Sequence, residues 1–503
     1  MTYTKESLKE LISSKLKDYK LIIVSNREPY IHNYAGEEIK YIIPASGMVT
    51  ALDPIIRAEG GTWIAYGSGD ADREVVDSKG HIAVPPDNPQ YTLRRVWLTH
   101  EEEEKFYYGF SNEALWPLCH IVYVKPKFNE ADWQVYKSVN QKFADVVLEE
   151  VGNDKAFIFI QDYHFTLLPR MLKESRPDLL VAQFWHIPWP NREAFRICPW
   201  GQEILEGLLG NDLLGFHVQY HCNNFLDTVD RNLESRVDYG KFTATKGGKT
   251  THVRPFPISI DFEELNLLSQ GKDVENERAR IKRELGLKGQ IIGVGLDRVD
   301  YTKGIPERFK AIERFLEKYP EYRNKITFVQ AGNLSRIHID DYRDYNDKIY
   351  DLMVEINHKY RDGRWTPIRL LKSHFNRVSV QALYRLSDFC IVSSLHDGMN
   401  LVAKEFLASR FDESGVLLLS RFTGASEELA GCIQINPYAI DTFAEAIKTA
   451  IEMPPDEKIK RMQRLREQVR EHNVYNWGQS IVNELIKLDS STPLGMTFKT
   501  LFL

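Results

Sequence analysis

The sequence predicts an α/β protein with two doubly wound domains, and three observations carry that expectation. Short apolar runs alternate with helical patterns along most of the chain. The runs are continuous in Val, Ile, Leu and Phe, as expected of parallel strands buried on both faces. The series also stops at a charged helical stretch near 270–288 and then starts again. A chain of 503 residues is too long for one ordinary core, so two sets of strands mean two domains.

The elements follow in order. Leu8, Leu11, Ile12 and Leu16 recur at helical spacing, which predicts a short amphipathic leader helix within residues 1–20, packed on the body or on a partner subunit. "LIIVSN" at 21–26, "AFIFIQDYH" at 156–164, "LLVAQFWHIP" at 179–188 and "DLLGFH" at 212–217 are the first set of strands. "QIIGVGLDRVD" at 290–300, "KITFVQAG" at 325–332, "TPIRLL" at 366–371, "DFCIVSS" at 388–394 and "GVLLLS" at 415–420 are the second. The domains are expected at 21–262 and 263–467. The long polar helical stretch at 456–488 leaves a C-terminal helix, about 468–490, open to pack back on the first domain.

Composition excludes several functions. Hydrophobic residues are 43% and charged residues 27%, with a net charge of −6, so there is no basic surface for nucleic acid. No apolar run approaches the ~20 residues of a membrane span. The first 20 residues lack an apolar signal core, and Cys119, Cys198, Cys222, Cys390 and Cys432 form neither a disulfide framework nor a zinc motif. A cytoplasmic protein with reduced thiols is expected, and a homo-oligomer stays open. There is no G-x-G-x-x-G after a strand, no Walker A motif and no G-x-S-x-G elbow, which argues against nicotinamide or flavin enzymes, P-loop kinases and esterases.

In open α/β sheets the ligand sits at the carboxyl ends of the strands. The unusual polar motifs fall at those ends: "SNREPY", "QDYH", "HIPWP", "DRVDYTKG", "AGNLSR" and "SLHDGMNL". Each residue also has a plainer reading. Arg27 is a turn arginine or an anion clamp. Ser46 and Gly47 open a helix or a phosphate loop. Tyr107 and Trp116 are core aromatics or the floor of a sugar site. Asp162, His164 and His186 are hydrogen-bonded strand-end residues or site residues. They lack metal-ligand spacing, so no metal and no cofactor are expected. Arg298 and Lys303 lie five apart between a strand and a helix, as an exposed pair or as cations for a diphosphate. Arg336 is a third strand-end cation. Asp397 and Gly398 are an N-cap or an anion seat, with Glu405 further along the helix.

Together "SNREPY", "YYGFSNEALWP", "QDYH", "HIPWP", "DLLGFH", "DRVDYTKGIPERF" and "DGMNLVAKE" resemble the trehalose-6-phosphate synthase family of retaining glycosyltransferases, over residues 21–485. The resemblance implies the GT-B architecture: two Rossmann-like doubly wound domains facing across a cleft, the first for the acceptor and the second for the nucleotide sugar. It implies transfer of glucose from a nucleotide-glucose donor, UDP-glucose first among them, to glucose 6-phosphate, without a metal.

Roles carry over residue by residue. Arg298 and Lys303 resemble the pair on the donor diphosphate. Asp397 with Gly398, Met399, Asn400 and Leu401 resembles the donor-binding segment, Glu405 the ribose ligand, and Gly47 a donor-side glycine. His186 resembles the residue against the donor sugar, and Asp162 the acceptor-side carboxylate. Arg27, Tyr107, Trp116 and Arg336 resemble the acceptor pocket, with both arginines on its phosphate.

The chain departs from the family's common pattern at Ser46, at Gln161 and in "HVQYHCNNFL", all on or near the acceptor side. Glycerol 3-phosphate, as in glucosylglycerol-phosphate synthases, is therefore the alternative acceptor. A non-catalytic sugar-phosphate sensor is the alternative of another class.

Overall fold

The structure is a computed structural model and describes residues 3–44, 47–332, 336, 338–371 and 375–488. Ser46 and residues 333–335 of "AGNLSR" lie outside the described residues. The chain forms two compact units. One holds the residues up to Ile258 and those from Val474 onward; the other is Ser259–Asn473.

In the first unit, helix α1 (Lys5–Lys15) precedes strand β1 (Lys20–Arg27). Helix α2 (Gly47–Glu59), β2 (Thr62–Tyr66) and β3 (Tyr91–Val96) follow. Then come β4 (Ala156–Gln161), β5 (Leu180–Phe184), β6 (Leu213–Phe216) and β7 (Lys249–Pro255). These seven strands are parallel and lie in the order β7-β6-β5-β4-β1-β2-β3. Antiparallel strands flank them: Arg236–Asp238 and Thr243–Lys246 beyond β7, and His81–Val84 beyond β3. Ile22, Ile23 and Val24 of β1 and Ile158 and Ile160 of β4 are fully buried, which is why these strands read as continuous apolar runs.

The second unit is one parallel sheet of six described strands. β8 (Ile291–Leu296) leads into helix α3 (Ile305–Lys318). Strands β9 (Ile326–Ala331), β10 (Ile368–Leu371) and β11 (Phe389–Val392) follow, then helix α4 (Leu401–Ser409), β12 (Val416–Ser420) and β13 (Ile433–Ile435). Their order is β10-β9-β8-β11-β12-β13, that of a dinucleotide-binding fold. The order reverses between β8 and β11, where ligands of such sheets bind. Phe309, Ile312 and Phe315 of α3 pack with Phe328, Phe389 and Phe443 in the core.

The polar helical stretch at 456–488 is two helices. α5 (Pro455–Glu471) belongs to the second unit and α6 (Val474–Leu488) to the first. α6 is tied there by Arg254 to Glu484 at 2.8 Å and by Gln479 to Ser7 at 2.6 Å. All five cysteines are buried and unbridged. Among the described residues, no helix is long and apolar enough to cross a membrane.

Candidate active-site elements

In the second unit the chain leaves β8 through Asp297, Arg298 and Asp300 and enters α3 after one 3-10 turn, Tyr301–Lys303. Asp300 opens that turn. Its Oδ1 accepts from the Thr302 N–H at 3.0 Å and the Thr302 hydroxyl at 2.9 Å. Gly304 follows at φ +62°, and a Cβ there would strike the carbonyl of Ser393, so only glycine lets the two loops touch. The Leu395 N–H donates to the Thr302 carbonyl at 2.7 Å, binding the loop after β11 to the loop after β8.

Lys303 Nζ then lies 2.6 Å from Asp397 Oδ2. The same oxygen accepts from Ser394 Oγ and Asn400 Nδ2, each at 3.1 Å. The N-cap of α4 is Asn400 rather than Asp397, which lies three residues earlier. Asn400 is held at φ +78°, and its side chain makes no capping bond. The positive end of α4 is thereby left uncovered by its own cap residue, which suits an anion. Such a backbone in a non-glycine residue is strained and concentrates at functional sites. Gly398 and Met399 form the turn between, with Met399 buried.

Glu405 lies further along α4, half-buried, with the Tyr384 hydroxyl 3.1 Å from its Oε2. Burial pushes its carboxyl up to about 7, opposed by the Tyr384 bond and by the charge of Arg377. Arg336 Nη1 lies 3.4 Å from Asp300 Oδ2 and is also hydrogen-bonded to the Tyr342 hydroxyl. Burial alone would raise the Asp300 carboxyl, but the charges of Arg336, Arg298 and Lys303 override it and hold it below the usual carboxylate range. Arg298 and Lys303 after β8 and Arg336 beyond β9 thus act together on Asp300, and Lys303 reaches Asp397 after β11.

In the first unit, Asp162 follows β4 at φ +70°, another strained non-glycine residue at a strand end. Its Oδ1 accepts from the His186 N–H at 3.2 Å. His186 Nε2 lies 3.0 Å from Gln161 Oε1, and His217 Nε2 lies 3.0 Å from the His186 carbonyl. Burial pushes the His186 ring down to about 3, so it is neutral. "QDYH", "HIPWP" and "DLLGFH" therefore meet in one hydrogen-bonded group.

Tyr107 lies on a π-helix, Glu103–Leu115, in which Asn112 Nδ2 donates to the Tyr107 carbonyl at 2.7 Å. Asn112 Oδ1 accepts from Tyr163 at 2.9 Å, and the Tyr107 ring stacks on His164 at 5.8 Å. π-helical turns recur at functional sites. Trp116 is buried against His120 and Tyr163. Arg27 is half-buried at the end of β1, where the register slips between Ser25 and Arg27; such a bulge re-aims a side chain. Gly47 is the first residue of α2.

The structure adds residues that the motifs did not single out: Asp297 and Asp300, Arg308, His217, and Gln161 as the partner of His186. Each sits inside a quoted motif; Asp297 and Arg308 pair within one motif, 11 positions apart, while the partners of Asp300, His217 and Gln161 lie 36, 31 and 25 positions away. Among the described residues, no three His, Cys, Asp or Glu side chains gather as a metal site.

Two doubly wound units in one chain, with a cation-rich switch point in the second, define the GT-B class of glycosyltransferases. The family model described as glycosyltransferase family 20 matches residues 19–487, and the chain belongs to that family.

The trehalose-6-phosphate synthase of Mycolicibacterium smegmatis is 35% identical over 486 residues, covering 95% of this chain and 94% of the relative. A bifunctional trehalose-6-phosphate synthase/phosphatase of Thermoproteus tenax is 35% identical over 483 residues. That match covers 94% of this chain but 64% of the relative, so the chain spans less than two thirds of the bifunctional protein. A solved structure of an α,α-trehalose-phosphate synthase (UDP-forming) from Burkholderia xenovorans, in complex with glucose-6-phosphate, has a TM-score of 0.83 at 30% identity. It covers 93% of this chain and 99% of that one.

Proposed function

We propose that the chain transfers glucose with retention from UDP-glucose to glucose 6-phosphate, giving trehalose 6-phosphate and UDP. The observation that carries the reading is the Lys303–Asp397 contact just before α4, in a loop where Arg298 and Lys303 both act on Asp300. It supplies cations and a helix terminus for a departing diphosphate. The names of the relatives support the donor nucleotide and the acceptor.

The proposed step is a front-face substitution. The donor C1–O bond breaks and its electron pair goes to the UDP phosphate. The acceptor's anomeric hydroxyl oxygen bonds to C1 on the same face, and its proton passes to the departing phosphate oxygen. Arg298, Lys303 and the start of α4 stabilise the charge that develops on that phosphate. Asp397, itself held by Ser394 and Asn400, keeps Lys303 in place. The neutral His186 lies against the donor sugar, and Asp162 binds acceptor hydroxyls. Tyr107 and Trp116 shape a pocket for a hexose, which favours glucose 6-phosphate over glycerol 3-phosphate.

The experiment is a screen of UDP-, GDP- and ADP-glucose against glucose 6-phosphate, glycerol 3-phosphate and glucose, with the product linkage read by NMR. Highest kcat/KM with glycerol 3-phosphate would move the chain to the glucosylglycerol-phosphate reaction. No turnover with any pair, alongside sugar-phosphate binding, would make it a sensor.

Two further outcomes are expected. Arg298 and Lys303 take the place of a bridging cation, so turnover should persist in excess EDTA. Activity abolished by chelator and restored by Mg²⁺ would show the diphosphate site to be wrongly assigned. Glu405 should bind the ribose hydroxyls as a carboxylate. With its carboxyl raised to about 7 it is largely protonated below that pH. UDP affinity should therefore fall as pH drops from 8 to 6, and Glu405→Gln should flatten that fall. Identical pH profiles for wild type and variant would remove Glu405 from the ribose.

A further inference from the structure

We propose that Arg308 is a positioning residue of the donor site, neutralising Asp297 and fixing the backbone that presents Arg298 and Lys303. The inference rests on the donor reading above and concerns how that site is built. Arg308 lies one turn into α3 and is fully buried.

Its Nη1 donates to Asp297 Oδ2 and to Gln330 Oε1, both at 2.7 Å, and its Nε donates to Ser393 Oγ at 3.0 Å. Ser393 Oγ lies in turn 2.9 Å from the Gly304 carbonyl and 3.1 Å from that of Lys303. One guanidinium thus joins the ends of three adjacent strands. Asp297 follows β8, Gln330 lies near the end of β9, and Ser393 follows β11. Through Ser393 the bonds run directly to the peptide of Lys303. β8 makes room for this: a Cβ on Gly295 would strike Arg308 Nη1.

Charge gives the arrangement its consequence. Asp297 is buried and precedes Arg298 in the chain. Without Arg308 it would be an unpaired buried carboxylate, which is costly in itself. It would also draw on Arg298 and oppose an incoming diphosphate. With Arg308 in place, the Asp297 charge is neutralised inside the loop and does not oppose the ligand. Lys cannot reproduce the role, because a point charge cannot make three directed bonds from one plane. A purely structural arginine would affect stability without favouring one substrate over the other.

The test is calorimetric binding of UDP to the full chain as wild type, Arg308→Lys, Arg308→Met and the double variant Arg308→Met/Asp297→Asn. Each is checked for folding by circular dichroism and thermal melting. UDP should bind roughly tenfold or more weakly to both single variants, a loss in line with a displaced site geometry. KM for glucose 6-phosphate should stay unchanged. The double variant should recover part of the UDP affinity, because removing the Asp297 charge replaces its neutralisation.

Folded variants that bind UDP as wild type does would overturn the proposal. Equal losses for both substrates would do the same, and so would unfolding of all three variants, which makes Arg308 a residue of stability alone. A wild-type chain that binds no UDP would instead remove the donor reading, and this inference with it.

Discussion

Lys303→Ala should lose on the order of 100-fold or more in turnover at saturating donor and acceptor. A single preorganised charge at a developing anion is worth about 3 kcal/mol in the transition state. Here the loss has a second part. Lys303 Nζ sits 2.6 Å from Asp397 Oδ2, and both side chains are mostly buried. Removing the amine subtracts a cation and also exposes the Asp397 carboxylate beside the start of α4. The diphosphate would then meet a negative charge where a neutral pair stood. Lys303→Arg keeps the charge but carries a wider head group into a tight contact, so it should retain more activity than alanine and less than wild type. Asp397→Asn removes the pairing and leaves Lys303 charged, so its defect should be smaller than that of Lys303→Ala. The short turn Tyr301–Lys303 is held by Asp300, Thr302 and Gly304 rather than by the Lys303 side chain, so the fold should survive. Near-normal saturated turnover of a folded Lys303→Ala would take this residue out of the mechanism.

What could be read in the sequence follows from burial. β1, β4, β5 and β6, and β8, β9, β11 and β12, lie inside parallel sheets, so their apolar runs are continuous and legible. β3 is not, because it carries Arg94 and Arg95 inside the sheet. Arg94 is paired with Glu149 and Glu150, and Arg95 with Glu28 and Asp72. A buried arginine looks like a surface residue until its partner is known, and these partners lie on other elements. β13 is too short to stand out, at three residues. The break between α5 and α6 falls at His472 and Asn473, where no Gly or Pro marks it.

The site motifs were legible for a different reason. Strand ends are where an open sheet gathers its ligand groups, so polar residues there stand out against the runs before them. Their wiring was not legible. Asp397 read as a cap or an anion seat, and the cap proves to be Asn400, while Asp397 faces Lys303, 94 positions away in the chain. Asp and Asn reach positive φ more readily than other non-glycine residues, but nothing local sets Asp162 and Asn400 apart from the chain's other Asp and Asn, because tertiary contacts select the position.

Arg27→Ala should raise KM for glucose 6-phosphate roughly 30- to 140-fold while leaving the donor KM nearly unchanged, since a hydrogen-bonded charge is worth about 2–3 kcal/mol. The β-bulge at the end of β1 sets where Arg27 points, and a buried network holds that bulge firm. Glu28, the next residue, accepts from Arg95 Nε at 2.8 Å and from the Ser68 N–H at 2.8 Å. A phosphate dianion suits the planar fork of an arginine, so Arg27→Lys should recover little of the loss. If the contact is with the phosphate, the variant should discriminate poorly between glucose 6-phosphate and glucose, a pair that wild type should separate strongly. Arg336→Ala belongs in the same experiment. The resemblance assigns it the same phosphate, and its guanidinium is oriented by Asp300 and Tyr342. If the two arginines share one ligand, the double variant should lose less than the sum of the single losses. Arg336→Ala also strips a counter-charge from the buried Asp300, so it should lower the melting temperature, which Arg27→Ala should not. An unchanged KM for glucose 6-phosphate in Arg27→Ala, or a wild type that uses free glucose equally well, would show that no arginine clamp selects the acceptor.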